Sequence, residues 1–484
     1  MTPAPTLPAL IHPLVRAYLA DPDALDTAID RAGTPLHLLF PQVYLDNLHR
    51  LHSVLRRHRV HHRICYAHKV NHSRALLTTA HYAALGVDVA SVHELAAARQ
   101  AGFDTTDIEA TGPKGRRWLT RLAGAGVTIN IDNAWELGEL AALATPTPPT
   151  PVLLRLSGFP GPGGRATVSR FGIGHRDVEP LLHLLAQHTD RLHLRGFAFH
   201  LDSGDTGERV RATESCLHWV ERAYEFGLAP DVIDIGGGFR QVFTADIERF
   251  DHYTRTLRHA LAGRGEPMSW AANTFGYHLD DTGAHGIPVF HKYGNTTPAT
   301  AMLDELLAAP LTGHGGQPLA RVLADNMLEL WCEPGKALAD HAGITVAAVE
   351  FVKRTADGSL VVDVDIARDT VTPADQEVMV DPLLLPGPGT GRPEPCPTGV
   401  YIAGHLCLER DLITAHKVWL PWLPRPGDLL IFPNTAAYHM DLSAARASMH
   451  PLPAKFAVDY TGNGFALHAD LDYRPAPTAD RGRP

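Results

Sequence analysis

The chain has no apolar run approaching the roughly 18 residues that a membrane-spanning helix needs. It is poor in cysteine. Cys65, Cys216, Cys332, Cys396 and Cys407 are five in 484 residues, widely spaced and without a Cys-x-x-Cys pair. That scarcity argues against a disulfide framework and against a zinc site, and it fits a reducing compartment. No block of a single charge is present either. Acidic and basic residues are mixed and the formal net charge is −10, which speaks against a nucleic-acid binder, whose footprint is a basic patch. Met1 to His12 shows no basic region leading into an apolar stretch, so no secretory leader is expected and the cytoplasm is the expected location.

Histidine, by contrast, is plentiful, at 29 residues. The densest run, His58 to His62, is interleaved with Arg57, Arg59 and Arg63. Those guanidinium groups would repel a metal cation, so the run reads as a solvated basic helix end and no metal is expected. Apolar residues make up 45% of the chain, enough for a large core, and the length suggests two domains.

Short apolar or β-branched runs alternate with longer stretches of helical spacing. The runs are Ile64–Ala67, Val87–Ala90, Asp107–Ala110, Val127–Ile131, Val152–Leu156, Leu194–His200, Val232–Ile235 and Leu328–Cys332. Between them Ser73–Leu85, Val92–Ala101, Ala134–Leu143, Val178–Gln187 and Glu208–Phe226 read as helices. Such alternation implies parallel βαβ units. Eight strands suggest a (β/α)8 TIM-like barrel, with its active site at the C-terminal strand ends; a doubly wound open sheet would give the same local signal. Thr145–Pro151 reads as a stiff loop before the fifth strand. Arg264 to Ala324 is a long irregular stretch between strands seven and eight, with a helix expected at Met302–Ala309. Beyond Lys336 the pattern turns β-rich. Ile344–Arg354 and Leu360–Ile366 read as strands joined at Asp357–Gly358, followed by strands at Gly399–Ala403 and Asp428–Phe432.

Four motifs fall at the C-terminal ends of predicted barrel strands. Tyr66-Ala67-His68-Lys69-Val70-Asn71 ends the first, and Phe199-His200-Leu201-Asp202-Ser203-Gly204 ends the sixth. Asp234-Ile235-Gly236-Gly237-Gly238-Phe239 ends the seventh, where three glycines let the backbone approach a ligand and aim N–H groups at an anion. Cys332-Glu333-Pro334-Gly335-Lys336 ends the eighth. Each alone has a bland alternative: a surface lysine, a structural histidine, a flexible turn, a carboxylate paired with Lys336. Together they sit where barrel catalysis occurs.

With these motifs, and with Gly86-Val-Asp-Val-Ala-Ser-Val-His-Glu-Leu95, Ile131-Asp132-Asn133, Arg170-Phe171-Gly172-Ile173, Gly404-His-Leu-Cys407 and Ala437-Tyr438, the chain resembles the fold-type III pyridoxal-phosphate (PLP) decarboxylases over about Pro35 to Phe456. This is the group of diaminopimelate, ornithine and arginine decarboxylases. The resemblance implies a PLP-binding barrel at 36–343 and a β-rich domain from 1–35 and 344–473, the alanine racemase-like architecture, with 474–484 a loose tail. It implies that Lys69 carries PLP as a Schiff base, that Glu333 contacts the pyridine nitrogen and that His200 stacks on the ring. Ser203, Gly236, Gly237, Gly238 and Lys336 would surround the phosphate, and Tyr438 would reach it from the β domain. Asp88, Glu94 and Arg155 would orient Lys69 and His200. Cys407 would protonate the intermediate across the interface of a homodimer, and Asp411 matches a later acidic position.

Three departures bear on substrate. Lysine stands at 336 where relatives carry arginine, which keeps a point charge and loses a bidentate fork. Leu408 follows the interface cysteine where diamine and diaminopimelate enzymes carry an acid. Thr372-Pro373 stands where diaminopimelate enzymes carry Arg-Pro. The expectation is therefore decarboxylation of an amino acid other than diaminopimelate or a simple diamine precursor, with Glu409 or Asp375 as a conceivable substitute acid. The Arg264–Ala324 stretch is expected beside the phosphate site, as a lid or an enlarged pocket. The competing readings are a racemase or epimerase on the same fold, where an arginine in place of Glu333 would be usual, and a non-catalytic PLP-binding regulator.

Overall fold

The computed structural model describes residues 4–160, 166, 169–244, 246–371 and 379–475. The chain divides into two units. One comprises Leu45–Arg240 and Pro298–Leu338, the other Met1–Tyr44, Gln241–Thr297 and Ala339–Tyr473.

In the first unit eight parallel strands close into a barrel. They are, in chain order, His62–Ala67, Gly86–Val89, Ile108–Ala110, Thr128–Ile131, Thr150–Ser157, Leu192–Ala198, Val232–Asp234 and Glu329–Cys332. Each pairs with the next, and the eighth pairs with the first through Leu330 opposite His62. Their near-continuous apolar burial is what parallel strands covered on both faces require. The intervening helices start on polar caps. Ser91 Oγ accepts the N–H of Glu94, Asn133 Oδ1 that of Glu136 and Asp205 Oδ1 that of Glu208. Each cap is followed three residues on by a glutamate, so side chain and helix dipole both favour initiation there. At the end of the helix Pro41–Arg57, Arg57 and His58 both reach Asp304 Oδ1, at 2.6 Å.

The second unit is built on a nine-stranded sheet. Its main path runs Leu412–Leu420, Thr398–Ala403, Leu360–Val364, Gly343–Arg354, Leu36–Leu39, Ala454–Tyr460 and Phe465–Ala469, and Leu429–Pro433 links Gly343–Arg354 to Leu383–Leu385. Gly343–Arg354 and Leu360–Val364 pair antiparallel, and Gly358, at φ +84°, makes the turn between them. Val362, Val364, Val400, Ile402, Val418 and Leu430 belong to its main core.

Two placements differ from the sequence expectation. The strand Leu36–Leu39, expected at the start of the barrel domain, lies in this sheet, antiparallel to Gly343–Arg354 and parallel to Ala454–Tyr460. The stretch between the seventh and eighth barrel strands is shared. Gln241–Thr297 groups with the sheet unit, and the rest, including the helix Ala299–Ala308, with the barrel. The reason is an aromatic core. Phe243, Tyr253, Phe275, Tyr277, Phe290 and Tyr293 pack together, with Ala415 and Trp419 of the sheet against them. Lys417 fixes the contact, its N–H donating to Met268 O at 2.9 Å and its Nζ lying 2.8 Å from Glu266 Oε1. The segment expected as a lid is thus, up to Thr297, part of the sheet unit's own core. The expected tail lies, from residue 476 on, outside the described residues.

Candidate active site at the C-terminal ends of the barrel strands

Lys69 sits in a single 3-10 turn, His68–Val70, directly after the first barrel strand. Its Nζ lies 3.1 Å from Asp88 Oδ2, and the side chain is 35% exposed while that of Asp88 is fully buried. Asp88 is on the second strand and also accepts from Thr111 Oγ1 at 2.5 Å. The amine is therefore held from below and reachable from above, the arrangement a working lysine needs.

After the seventh strand the chain turns through Gly236 and Gly238, at φ +64° and +72°. A Cβ at Gly236 would lie 2.4 Å from Phe199 O, at Gly237 2.7 Å from Glu333 O, and at Gly238 1.9 Å from Leu201 O. Only glycine fits, because three backbones meet here and two positions are left-handed. Two of the N–H groups expected to face an anion are engaged within the site. Gly236 donates to Asp234 Oδ1 at 2.8 Å and Gly237 to His200 Nδ1 at 3.3 Å.

The turn is braced by a residue that the sequence reading missed. Arg209, on the helix Thr206–Glu225, is fully buried. It donates to Leu201 O at 2.6 Å, to Ile235 O at 3.1 Å and to Gly237 O, and lies over the Phe239 ring. Burial lowers its pKa to about 10. The signal was present: Arg209 falls on the stripe of Ala212, Thr213, Cys216 and Val220 that faces inward.

His200 follows the sixth strand at the barrel mouth and keeps an open face. Desolvation by the surrounding protein, then the charges of Lys69, Arg155 and Arg209, push its pKa down to about 3. Arg155 pairs with Asp132 Oδ1 at 3.8 Å and lies over the Phe171 ring. Ser203 Oγ accepts the N–H of Asp205, and Lys336 Nζ lies 3.6 Å from Asp202 Oδ2. Glu94 uses its carboxylate on the Ala90 N–H at 2.7 Å and on His72 at 3.3 Å. Its burial raises the pKa, and those bonds outweigh it, leaving Glu94 below the usual range.

Glu333 follows the eighth strand and is 5% exposed. Burial, then the charges of Asp88 and Asp234, hold its carboxyl well above the usual range. It stands with Glu109, of the third strand, and Asp234, of the seventh: one oxygen of each lies within 4.8 Å of the others. Burial pushes Asp234 up to about 6 and Glu109 well above the usual carboxylate range. Glu109 went unnoticed in the sequence. A buried pair, Lys114 Nζ and Glu136 Oε2 at 3.2 Å, ties the loop after the third strand to the helix Ala134–Leu143, which follows the fourth strand.

The remaining predicted residues lie in the sheet unit. Tyr438 follows the strand Leu429–Pro433 in a left-handed conformation, φ +71°. Cys407 is exposed and unbridged, and Leu408 is 47% exposed. Asp411 is buried and accepts the N–H groups of Arg368 and Leu406, both at 2.7 Å. It organises its own loop, and a Cβ at Gly404 would lie 2.4 Å from it. Thr372, with Pro373 and Asp375, lies outside the described residues.

Comparison with known proteins agrees with this geometry. The family model described as pyridoxal-dependent decarboxylase, pyridoxal binding domain, matches residues 45–269. The uncharacterized protein y4yA of Sinorhizobium fredii is 34% identical over 460 residues, covering 93% of this chain and 94% of that one. Diaminopimelate decarboxylase of Vibrio cholerae is 23% identical over 416 residues, covering 82% and 81%. Among solved structures, the arginine decarboxylase of Paramecium bursaria Chlorella virus shares the fold, with a TM-score of 0.66 at 18% identity over 90% of this chain and 100% of that one. The chain belongs to the fold-type III family of pyridoxal-phosphate-dependent amino-acid decarboxylases.

Proposed function

We propose that this protein removes the α-carboxyl group of an amino acid that carries no distal ammonium group, with Lys69 as the cofactor lysine. The observation that carries the reading is Glu333, a buried acid rather than an arginine at the eighth strand end. The residues present fit pyridoxal phosphate: a reachable amine on a buried carboxylate, a cradle closed to any Cβ, and an acid already burdened by burial that gains from a cationic ring nitrogen. Lys69 would hold it through its amine, and Gly238, Ser203 and Lys336 would hold its phosphate. Pyridoxal phosphate, when bound, supplies an electron sink for the pair left on the α-carbon as carbon dioxide departs.

The protein's own groups do the rest. Asp88 keeps the Lys69 amine in place. His200 offers a ring face at the barrel mouth. Arg209 holds the glycine turn in shape. Cys407, exposed in this chain, serves in our reading as the proton donor to the α-carbon of the partner subunit's site, which makes the working form a homodimer.

The substrate reading rests on Leu408. A leucine cannot pair with a distal ammonium, and leaving such a charge without its partner costs about 3–5 kcal/mol when it is buried. The test is spectroscopic, then chemical. Wild type should show the absorption band of a lysine-bound cofactor, fixed by borohydride, and Lys69→Ala should lack it. A panel of amino acids is then screened for carbon dioxide release, with chiral chromatography of the products. Release from diaminopimelate, lysine or ornithine as fast as from any other substrate would refute the specificity. Racemised substrate without carbon dioxide would transfer the chain to the epimerase reading.

A further inference from the structure

The mechanism above uses Glu333 and leaves Glu109 and Asp234 unexplained. All three are buried, Glu109 to 1% exposure and Asp234 completely. Asp234 lies within hydrogen-bonding reach of both Glu109 and Glu333. Ionised carboxylates only accept, so such contacts need a proton.

The oxygens show where it sits. Glu109 Oε1 accepts from Asn130 Nδ2 at 2.9 Å, and Asp234 Oδ1 accepts from the Gly236 N–H at 2.8 Å. Glu109 Oε2 and Asp234 Oδ2 are buried and have no hydrogen-bond partner among the described residues. Buried polar atoms are seldom left so, and a proton shared between the two acids would supply what both lack. The groups that act most strongly on Glu109 are acidic or neutral. Glu109 faces Asp88, Asp234 and Glu333, with Asn130 as its hydrogen-bond donor and the Cys65 thiol nearby. The cations Lys69 and Arg155 act on Glu333 instead.

We propose that Glu109 is a positioning residue that shares a proton with Asp234 inside the barrel, and that this proton leaves Glu333 as the carboxylate presented to a cationic ring nitrogen. With Glu109 neutral, Asp234 is tied through its Oδ1 to the glycine turn and through its Oδ2 to the acid. The cluster then carries fewer negative charges, so ionised Glu333 meets less repulsion. This deepens the cofactor-site reading and rests on it for the role of Glu333, but not for the proton itself.

The test is infrared difference spectroscopy on the full-length protein near neutral pH, wild type against Glu109→Gln. A deuterium-sensitive carbonyl stretch of a protonated carboxyl should be present in wild type and lost in the variant; no lost band overturns the proposal. Glu109→Gln, which can still donate to Asp234, should bind pyridoxal phosphate within about threefold of wild type, whereas Glu109→Leu should lose tenfold or more. Equal loss in both variants, or none in Glu109→Leu, also overturns it. So does one manganese ion bound per chain from MnCl2 and absent in Glu109→Gln, since a cation would then occupy the cluster. If wild type takes up no cofactor, the functional reading fails and the infrared band alone decides Glu109.

Discussion

Replacing Arg209 with leucine tests how the glycine turn is held. The guanidinium donates to three carbonyls, those of Leu201, Ile235 and Gly237, from a position closed to water. Leucine fits the apolar stripe of the helix but leaves the three acceptors without this donor. An orphaned buried acceptor costs about 1–3 kcal/mol, while removing the buried charge returns part of its own desolvation. Taking the low end for each carbonyl gives a loss of about 3 kcal/mol. For a unit of this size that corresponds to a drop of roughly 6–12 °C in melting temperature. Because Leu201 and Gly237 flank the proposed phosphate site, cofactor affinity should fall by at least tenfold, about 1.4 kcal/mol. Calorimetry of cofactor-free protein reads the first effect and a cofactor titration followed by absorbance the second. A melting temperature within about 2 °C of wild type together with unchanged affinity would refute the bracing role.

Gly238→Ala places a Cβ 1.9 Å from Leu201 O at a left-handed position, so it should cost about 3 kcal/mol through strain and displacement and abolish cofactor uptake; wild-type titration curves would contradict this. Leu408→Asp supplies the missing acid and should raise turnover of lysine or ornithine relative to the native substrate by tenfold or more, read as carbon dioxide release; an unchanged ratio means position 408 does not contact the side chain. Glu109 titrates, folded, well above its unfolded range because it is buried. The stability this carboxyl contributes is complete below the unfolded pKa and is lost as pH rises through the folded one. Glu109→Gln does not titrate, so its melting temperature relative to wild type should rise from about pH 5 to pH 8, at up to about 1.4 kcal/mol per pH unit. A constant difference would mean that Glu109 is not buried as an acid.

The barrel was legible because parallel strands covered on both faces leave uninterrupted apolar runs, and each of the eight expected runs overlaps a strand. The placing of Lys69, the three glycines and Glu333 just after barrel strands was legible because they stood at the ends of those runs. What escaped was set by long-range packing. No local pattern tells that Gln241–Thr297 joins the sheet unit, since its allegiance comes from aromatic rings meeting Trp419 across the sequence. Leu36–Leu39 reads equally well as a barrel or a sheet strand, and only its partners at Gly343–Arg354 and Ala454–Tyr460 decide. Arg209 sits in the charged string Glu208-Arg209-Val210-Arg211, which looks solvated until the carbonyls that receive it are in place. The resemblance offered Glu94 as an orienting residue and Asp411 as a later acidic position, and neither motif shows the backbone N–H groups that their carboxylates accept, two at Asp411 and one at Glu94, where His72 takes the other oxygen.

The position of Leu36–Leu39 also matters while the chain is being made. It leaves the ribosome well before its parallel neighbour Ala454–Tyr460. At about 10 residues per second the roughly 400 intervening residues take about 40 s. The barrel waits in the same way, for its first strand His62–Ala67 needs Glu329–Cys332. A nascent chain of this protein therefore carries apolar strand edges throughout those intervals, and its yield in a foreign host should depend on chaperone supply more than on the stability of the finished fold.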